Sequence, residues 1–199
     1  YEEKTKDNYF FDLKVNTNIY RYTTVDRLFK LFTDKQLVLV KPSMWDDPFE
    51  NILSKVIYND GRDDISLNGI TDSYYGQCWT KSKECDGLWR NYTNMKKEPN
   101  NGVKITTKTN KLFSYVSNCD NDKFCTINTF IGNVNYDTDN KIIDFFRSIN
   151  IEWISDSSGK NPSKTLFLKR NEFKYENEVR VIKYVETNNN SIEEVKLHF

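Results

Sequence analysis

Between Ile19 and Val40 the chain spells a strand, a helix and a second strand, and two prolines then forbid that second strand to continue. Ile19-Tyr20-Arg21-Tyr22-Thr23 alternates, with Ile19, Arg21 and Thr23 on one face and Tyr20 and Tyr22 on the other. Thr23 caps the helix, with Asp26 three residues on as in a capping box. Val25, Leu28, Phe29 and Phe32 then fall on one apolar stripe. Asp34-Lys35 turns the chain into Gln36 to Val40, a short branched run that reads as a buried strand. Pro42 cannot donate to a ladder and Pro48 biases Asp47 toward extended geometry, so a fixed loop follows. Onto that loop the sequence places Ser43, Trp45, Asp46, Asp47, Phe49 and Glu50. Acid and aromatic groups on a rigid loop at a strand end build a site, or else Trp45 and Phe49 plug the core while Asp46 and Asp47 satisfy turn amides.

The 199 residues suit one domain, with 1–18 an N-terminal extension and 19–199 the folded unit. Aromatics make up 15%, so the core leans on Phe, Tyr and Trp. Twenty-nine basic and 29 acidic residues cancel, which disfavours nucleic acid as partner because no global basic field exists. No apolar run approaches the roughly 18 residues of a membrane span, so no membrane partner and a cytoplasmic location are expected. The start at Tyr1 rather than Met points to a processed or trimmed end. Cys78, Cys85, Cys119 and Cys125 form no Cys-X-X-Cys pair, and the single His, His198, stands in a tail. That removes zinc sites and the usual serine and cysteine hydrolase triads, and no metal is expected.

Further along, 58–73 reads as a polar linker with a turn at Asn59-Asp60-Gly61, and Tyr74 to Thr80 as a strand. Asp86 caps a helix carrying Leu88, Trp89, Tyr92 and Met95, broken near Pro99, after which Val103 to Thr107 is extended. Strands with a bulge at Gly132 occupy 124–136, and a helix opens at Asp139 with Ile142, Ile143, Phe145, Phe146 and Ile149 inward. A loop at 155–163, a strand at 165–168, a long strand at 173–185, an Asn-rich turn at 187–191 and a last strand at 192–199 complete the chain. The fold class is α+β, a mixed or antiparallel sheet with interleaved amphipathic helices.

Glu176 and Glu178 at i and i+2 on one strand would project side by side, roughly 6–7 Å apart, with Arg180 on the same face. Exposed, they are a solvated edge; buried beside the Trp45 loop, they become a site in which arginine holds a glutamate ionised. Arg21, flanked by tyrosines, pairs with those glutamates or grips an anion with its planar fork. Trp89 and Tyr92 line a site or simply pack in the core. The loop 42–50 and the strand 173–182 are expected side by side, with Arg21 facing the same glutamates.

Ile-Tyr-Arg-Tyr at 19–22, Asp-Asp-Pro-Phe-Glu at 46–50, Leu-Trp-Arg-Asn-Tyr at 88–92, Gly102-Val-Lys-Ile105 and Tyr-Glu-Asn-Glu-Val-Arg at 175–180 come in one order. Together they resemble the bacterial and phage domain-of-unknown-function family twenty-nine seventy-one, over about 19 to 185. Asp46 stands where that family usually has Asn, Phe173 where it has Trp, and Leu88 where it has Met. A weaker similarity is to the ADP-ribosyltransferase fold, which places an Arg on an early strand, then a Ser, and a Glu-X-Glu on a late strand. It implies Arg21, Tyr22, Ser43 and Trp45 as contacts to NAD, Glu178 as the catalytic carboxylate and Glu176 as the group orienting the acceptor. Asp47, Phe49, Glu50, Trp89, Tyr92 and Arg180 would line the same site. The implied activity is an ADP-ribosyltransferase or NAD glycohydrolase in phage–host or toxin-type conflict, with NAD as substrate and a small-molecule or macromolecular acceptor. The alternatives are a non-catalytic nucleic-acid or protein binding module of the same conflict systems, with Trp45, Trp79 and Trp89 as a stacking surface, and a metal-dependent nuclease using Asp47, Glu50, Glu176 and Glu178 around magnesium.

Overall fold

A computed structural model describes residues 6–45, 47–59, 64–93, 101–118, 128–185 and 192–198. Asp46, Met95, Pro99, Cys119, Cys125, residues 60–61 of the expected turn and the turn expected at 187–191 lie outside the described residues.

The sheet grows around Glu178–Tyr184, because alternation lets this strand bury both faces. Taken in chain order, the strands of the main sheet are β1 (Tyr9–Phe10), β2 (Asn18–Thr24) and β3 (Gln36–Val40). A separate hairpin, β4 (Ile57–Asn59) with β5 (Asp64–Ser66), precedes β6 (Tyr74–Thr80), β7 (Gly102–Lys108) and β8 (Thr129–Asn133). A short parallel pair, β9 (Asn135–Asp137) with β10 (Leu168–Arg170), stands apart from the main sheet, which ends with β11 (Glu178–Tyr184) and β12 (Glu194–His198). The order is β1-β8-β11-β6-β2-β7, with β3 joining β6 and carrying β12 on its far side. All pairings in this sheet are antiparallel except β1 with β8.

Val179 and Val181 face one side of the sheet with Ile19, Trp79 and Ile131, where helix α4 (Thr109–Asn118) contributes Leu112, Phe113 and Val116. The other side carries Glu178, Arg180 and Ile182, level with Thr80, Cys78 and Gly76 on β6. Phe10, Tyr74, Phe130, Leu166 and Phe167 close over Ile182. Each core ring buries apolar area worth about 1.5–3 kcal/mol. A Cβ on Gly132 would stand 2.8 Å from that of Phe10, so a glycine here lets the edge strand close. The expected bulge is absent: Gly132 pairs in register with Arg180 and Phe10.

The helices are α1 (Val25–Thr33), α2 (Asn68–Thr71), α3 (Asp86–Tyr92), α4 (Thr109–Asn118), α5 (Asp139–Ser148), α6 (Ile151–Ile154) and α7 (Lys160–Thr165). Thr24, not Thr23, caps α1, accepting from the Arg27 amide, while Thr23 is buried at 4% exposure. The stripe on α1 is only partly used, since Phe29 and Phe32 stay exposed. Cys85 rather than Asp86 precedes α3, and Asp86 pairs with Arg90 one turn on. The polar linker at 58–73 contains the hairpin and α2, and the loop at 155–163 runs into α7 after left-handed Gly159. That helix displaces the expected strand at 165–168 to Leu168–Arg170. His198 is paired within β12 rather than loose in a tail, beside Gln36. Among the described residues no helix is long and apolar enough to cross a membrane.

Candidate functional site

A 3-10 segment, Pro48–Lys55, follows the Trp45 loop, and Asp47 starts it by accepting from the Phe49 amide. This brings Glu50 under the sheet face that carries Glu178 and Arg180. A second 3-10 segment, Asn171–Glu176, separates β10 from β11. Glu176 therefore ends a turn rather than sharing a strand with Glu178, contrary to the alternation expected from sequence. Asn177 between them adopts φ 46 and ψ 51, the left-handed conformation, which Asn tolerates better than most residues. This reversal lets both carboxylates meet one cation.

That cation is Lys169. Its Nζ lies 2.8 Å from Glu50 Oε1, 2.5 Å from Glu176 Oε2 and 2.8 Å from Glu178 Oε1, with the Phe173 ring 4.7 Å away. Arg180 is fully buried. It donates through Nε to Glu178 Oε2 at 2.8 Å, through Nη2 to Glu50 Oε1 at 2.6 Å and through Nη1 to the Leu166 carbonyl at 2.6 Å. The indole of Trp45 lies 4.4 Å from its guanidinium. Tyr92 and Tyr175, both part-exposed, donate to Glu176 Oε1 at 3.3 and 3.4 Å. Tyr136 accepts from the Glu178 amide at 2.9 Å. Beside this cluster Arg170 grips Asp47 through two hydrogen bonds, 3.0 and 3.2 Å, and covers the rings of Phe49 and Phe173.

The two neighbouring glutamates titrate apart. Burial alone would raise the Glu178 carboxyl, but Arg180 and Lys169 outweigh it and hold it down to about 2. Burial, with Glu178 adjacent, raises Glu176 to about 7 despite Lys169. Burial opposes the charge on Arg180 and on Lys169 too, yet Glu178 and Glu50 keep both protonated above their ordinary values.

Opposite slopes of stability with pH follow. The raised Glu176 stabilises fully below the ordinary carboxylate value of 4.5 and loses that contribution as pH rises through about 7. The depressed Glu178 stabilises above 4.5 and loses its contribution as pH falls through about 2. The urea midpoint of the wild type should therefore decline from about pH 5 to about pH 8, and Glu176→Gln should flatten that decline. An equal decline in both proteins would contradict the raised value.

The loop 42–50 and the strand at 178–182 lie together as expected, joined by the Glu50–Arg180 and Trp45–Arg180 contacts. Glu176, Glu178, Arg180, Trp45, Glu50 and Tyr92 converge, with Asp47 and Phe49 alongside. Arg21 does not join them. Tyr20 stands opposite Thr80, on the Glu178 side, so alternation turns Arg21 to the other face, level with Ile105. Among the described residues no carboxylate pairs with Arg21, and burial lowers its guanidinium to about 10. The glutamates take their cations from Lys169 and Arg180 instead. Ser43 is exposed in a turn away from these contacts. Tyr22 is buried, donates to the carbonyls of Ser82 and Lys83, and meets the edge of Trp89 at 4.7 Å. Both thus support α3 rather than touch the glutamates. Trp79 is 5% exposed in the opposite core, so Trp45, Trp79 and Trp89 share no surface.

Sequence reading missed Lys169, Arg170, Tyr136 and Tyr175. Lys169 and Arg170 lie on the strand at 168–170, just past the 165–168 expected from sequence. Among the described residues no group of His, Cys, Asp and Glu is arranged to hold a metal. Glu50, Glu176 and Glu178 do converge, but an ammonium occupies their centre. No curated protein and no solved structure matches the chain. Residues 88–181, which include every element of this cluster except the Trp45–Glu50 loop, match the model described as "Protein of unknown function (DUF2971)", the family that the sequence boxes resemble.

Proposed function

We propose that the protein is an NAD glycohydrolase or ADP-ribosyltransferase acting at the anomeric carbon of the nicotinamide riboside, in a cytoplasmic toxin or phage–host setting. The observation that carries this reading is the pair Glu176 and Glu178, two carboxylates on one lysine whose acidities are driven to about 7 and about 2. Such a split gives neighbouring acids separate tasks. Glu178, ionised throughout the physiological range, stabilises the oxocarbenium-like centre as the C–N bond to nicotinamide breaks. Nicotinamide departs as a neutral ring, taking the bonding electrons, and needs no proton. The acceptor, water or a hydroxyl, does need a base. Glu176, partly deprotonated at neutrality, takes that proton as the new C–O bond forms. Tyr92 and Tyr175, whose hydroxyls reach Glu176 from part-exposed rings, mark the side from which substrate approaches.

Of the other two readings, stacking on three tryptophans lacks a common surface, and magnesium chemistry at the acidic cluster would have to displace Lys169. The test is incubation with NAD, with and without protein and nucleic-acid acceptors, and chromatographic measurement of free nicotinamide. Release above the uncatalysed rate is expected. No release with water or any acceptor overturns the reading.

A further inference from the structure

Three carboxylates, Glu50, Glu176 and Glu178, face two cations, Lys169 and Arg180, and each of these five residues is 5% exposed or less. With every group ionised the cluster carries one unbalanced negative charge; a single proton removes it. Burying an uncompensated charge is costly, so the cluster favours that proton. Arg180 is committed to Glu178, Glu50 and the Leu166 carbonyl, and does not reach Glu176. Lys169 alone contacts all three acids, each within 2.8 Å.

We propose that Lys169 is the positioning residue of the site: a tethered ammonium that holds three carboxylates at one point, so that Arg180, which reaches Glu178 and Glu50 but not Glu176, leaves the cluster's exchangeable proton on Glu176. Its role in turnover rests on the reading given above; its role in gathering the three acids does not. The groups facing Glu176 and its partners come from every surrounding element. Tyr92 (α3) and Tyr175 donate to Glu176, Tyr136 (β9) meets the Glu178 amide, and Cys78 (β6) faces Arg180 with its thiol pushed up by burial. The two phenols bond Glu176 through Oε1, whereas Lys169 bonds it through Oε2. These donors all favour ionised Glu176, so what keeps the proton there is that Glu178 and Glu50 share Arg180 as well as Lys169, and Glu176 does not. Glu50 enters from the far end of the chain and shares the same ammonium, so a change at Glu50 is felt at Glu176 without direct contact.

The experiment is a pH titration of the full chain carrying carboxyl-labelled glutamate, read by carbon NMR, in the wild type, Lys169→Met, Lys169→Arg and Glu50→Gln. Lys169→Met removes a contacting cation and is expected to move the Glu176 titration up by about one unit or more. Lys169→Arg restores a cation and is expected to return it toward the wild-type position, which a purely space-filling lysine would not require. Glu50→Gln removes a competing anion from the ammonium and is expected to move Glu176 down. It also keeps the test open if Lys169→Met does not fold. A Glu176 titration that stays in place in Glu50→Gln, or in folded Lys169→Met, overturns the proposal. None of these readouts needs NAD. A chain that releases no nicotinamide but shows both shifts keeps Lys169 in this role and loses the proposed reaction, while turnover with an unmoved Glu176 does the reverse.

Discussion

Exchange of Glu178 for glutamine is expected to lower nicotinamide release by about a hundredfold or more, the usual consequence of removing one charge that stabilises the transition state. Size and hydrogen-bonding capacity are kept, so NAD binding should change little and the loss should appear in kcat. The proposed role falls to this carboxylate rather than its neighbour on the strength of its contacts. Glu178 begins β11, its amide is held by the Tyr136 hydroxyl, and its two oxygens are divided between Lys169 and Arg180. Glutamine can satisfy only part of that pattern, so the unfolding midpoint must be measured on the same preparation. Residual activity within a few-fold of wild type, in a protein as stable as wild type, would remove Glu178 from the mechanism.

Arg180→Met should cost about 3–5 kcal/mol of folding stability, the range for breaking one side of a buried ionic network. Arg180 is 0% exposed and joins the Trp45 loop to the central strand through Glu50. Its loss leaves Glu50 and Glu178 to share Lys169 with Glu176, three acids on one cation. The Leu166 carbonyl and the indole of Trp45 lose their partner as well. Urea unfolding at neutral pH measures the effect, and a change below about 1 kcal/mol would place Arg180 among weak surface pairs instead.

The parts legible in the sequence are those with a local period. Branched residues and alternation gave β2, β3 and β6, and apolar spacing gave α1, α3 and α5, each near its observed bounds. The convergence of the Trp45 loop with the Glu-X-Glu stretch was also readable, because acid and aromatic residues are dense in both. What failed needed knowledge of register. Arg21 and Glu178 both lie on strands of one sheet, but which face each takes depends on the Tyr20–Thr80 pairing, and no single-strand pattern contains that. Helix α4 went unread although its buried residues Thr109, Leu112, Phe113 and Val116 fall at helical spacing. Lys169 is one basic residue among 29, and nothing in its own neighbourhood distinguishes it until Glu50 arrives from far earlier in the chain.

The left-handed turn at Asn177 narrows the vocabulary of substitutions open to this region. Between two acids whose exchange would alter charge stands a residue whose exchange would alter only backbone freedom. Glycine, and to a lesser degree aspartate, can hold φ near 46 there; a β-branched residue cannot do so without strain. Extended geometry at 177 would carry Glu176 away from the Lys169 ammonium while leaving every charged side chain of the cluster unchanged in the sequence. A variant in this position would keep a complete set of acidic and basic residues and lack their meeting point, so an inventory of charged residues would count as intact a centre that had come apart.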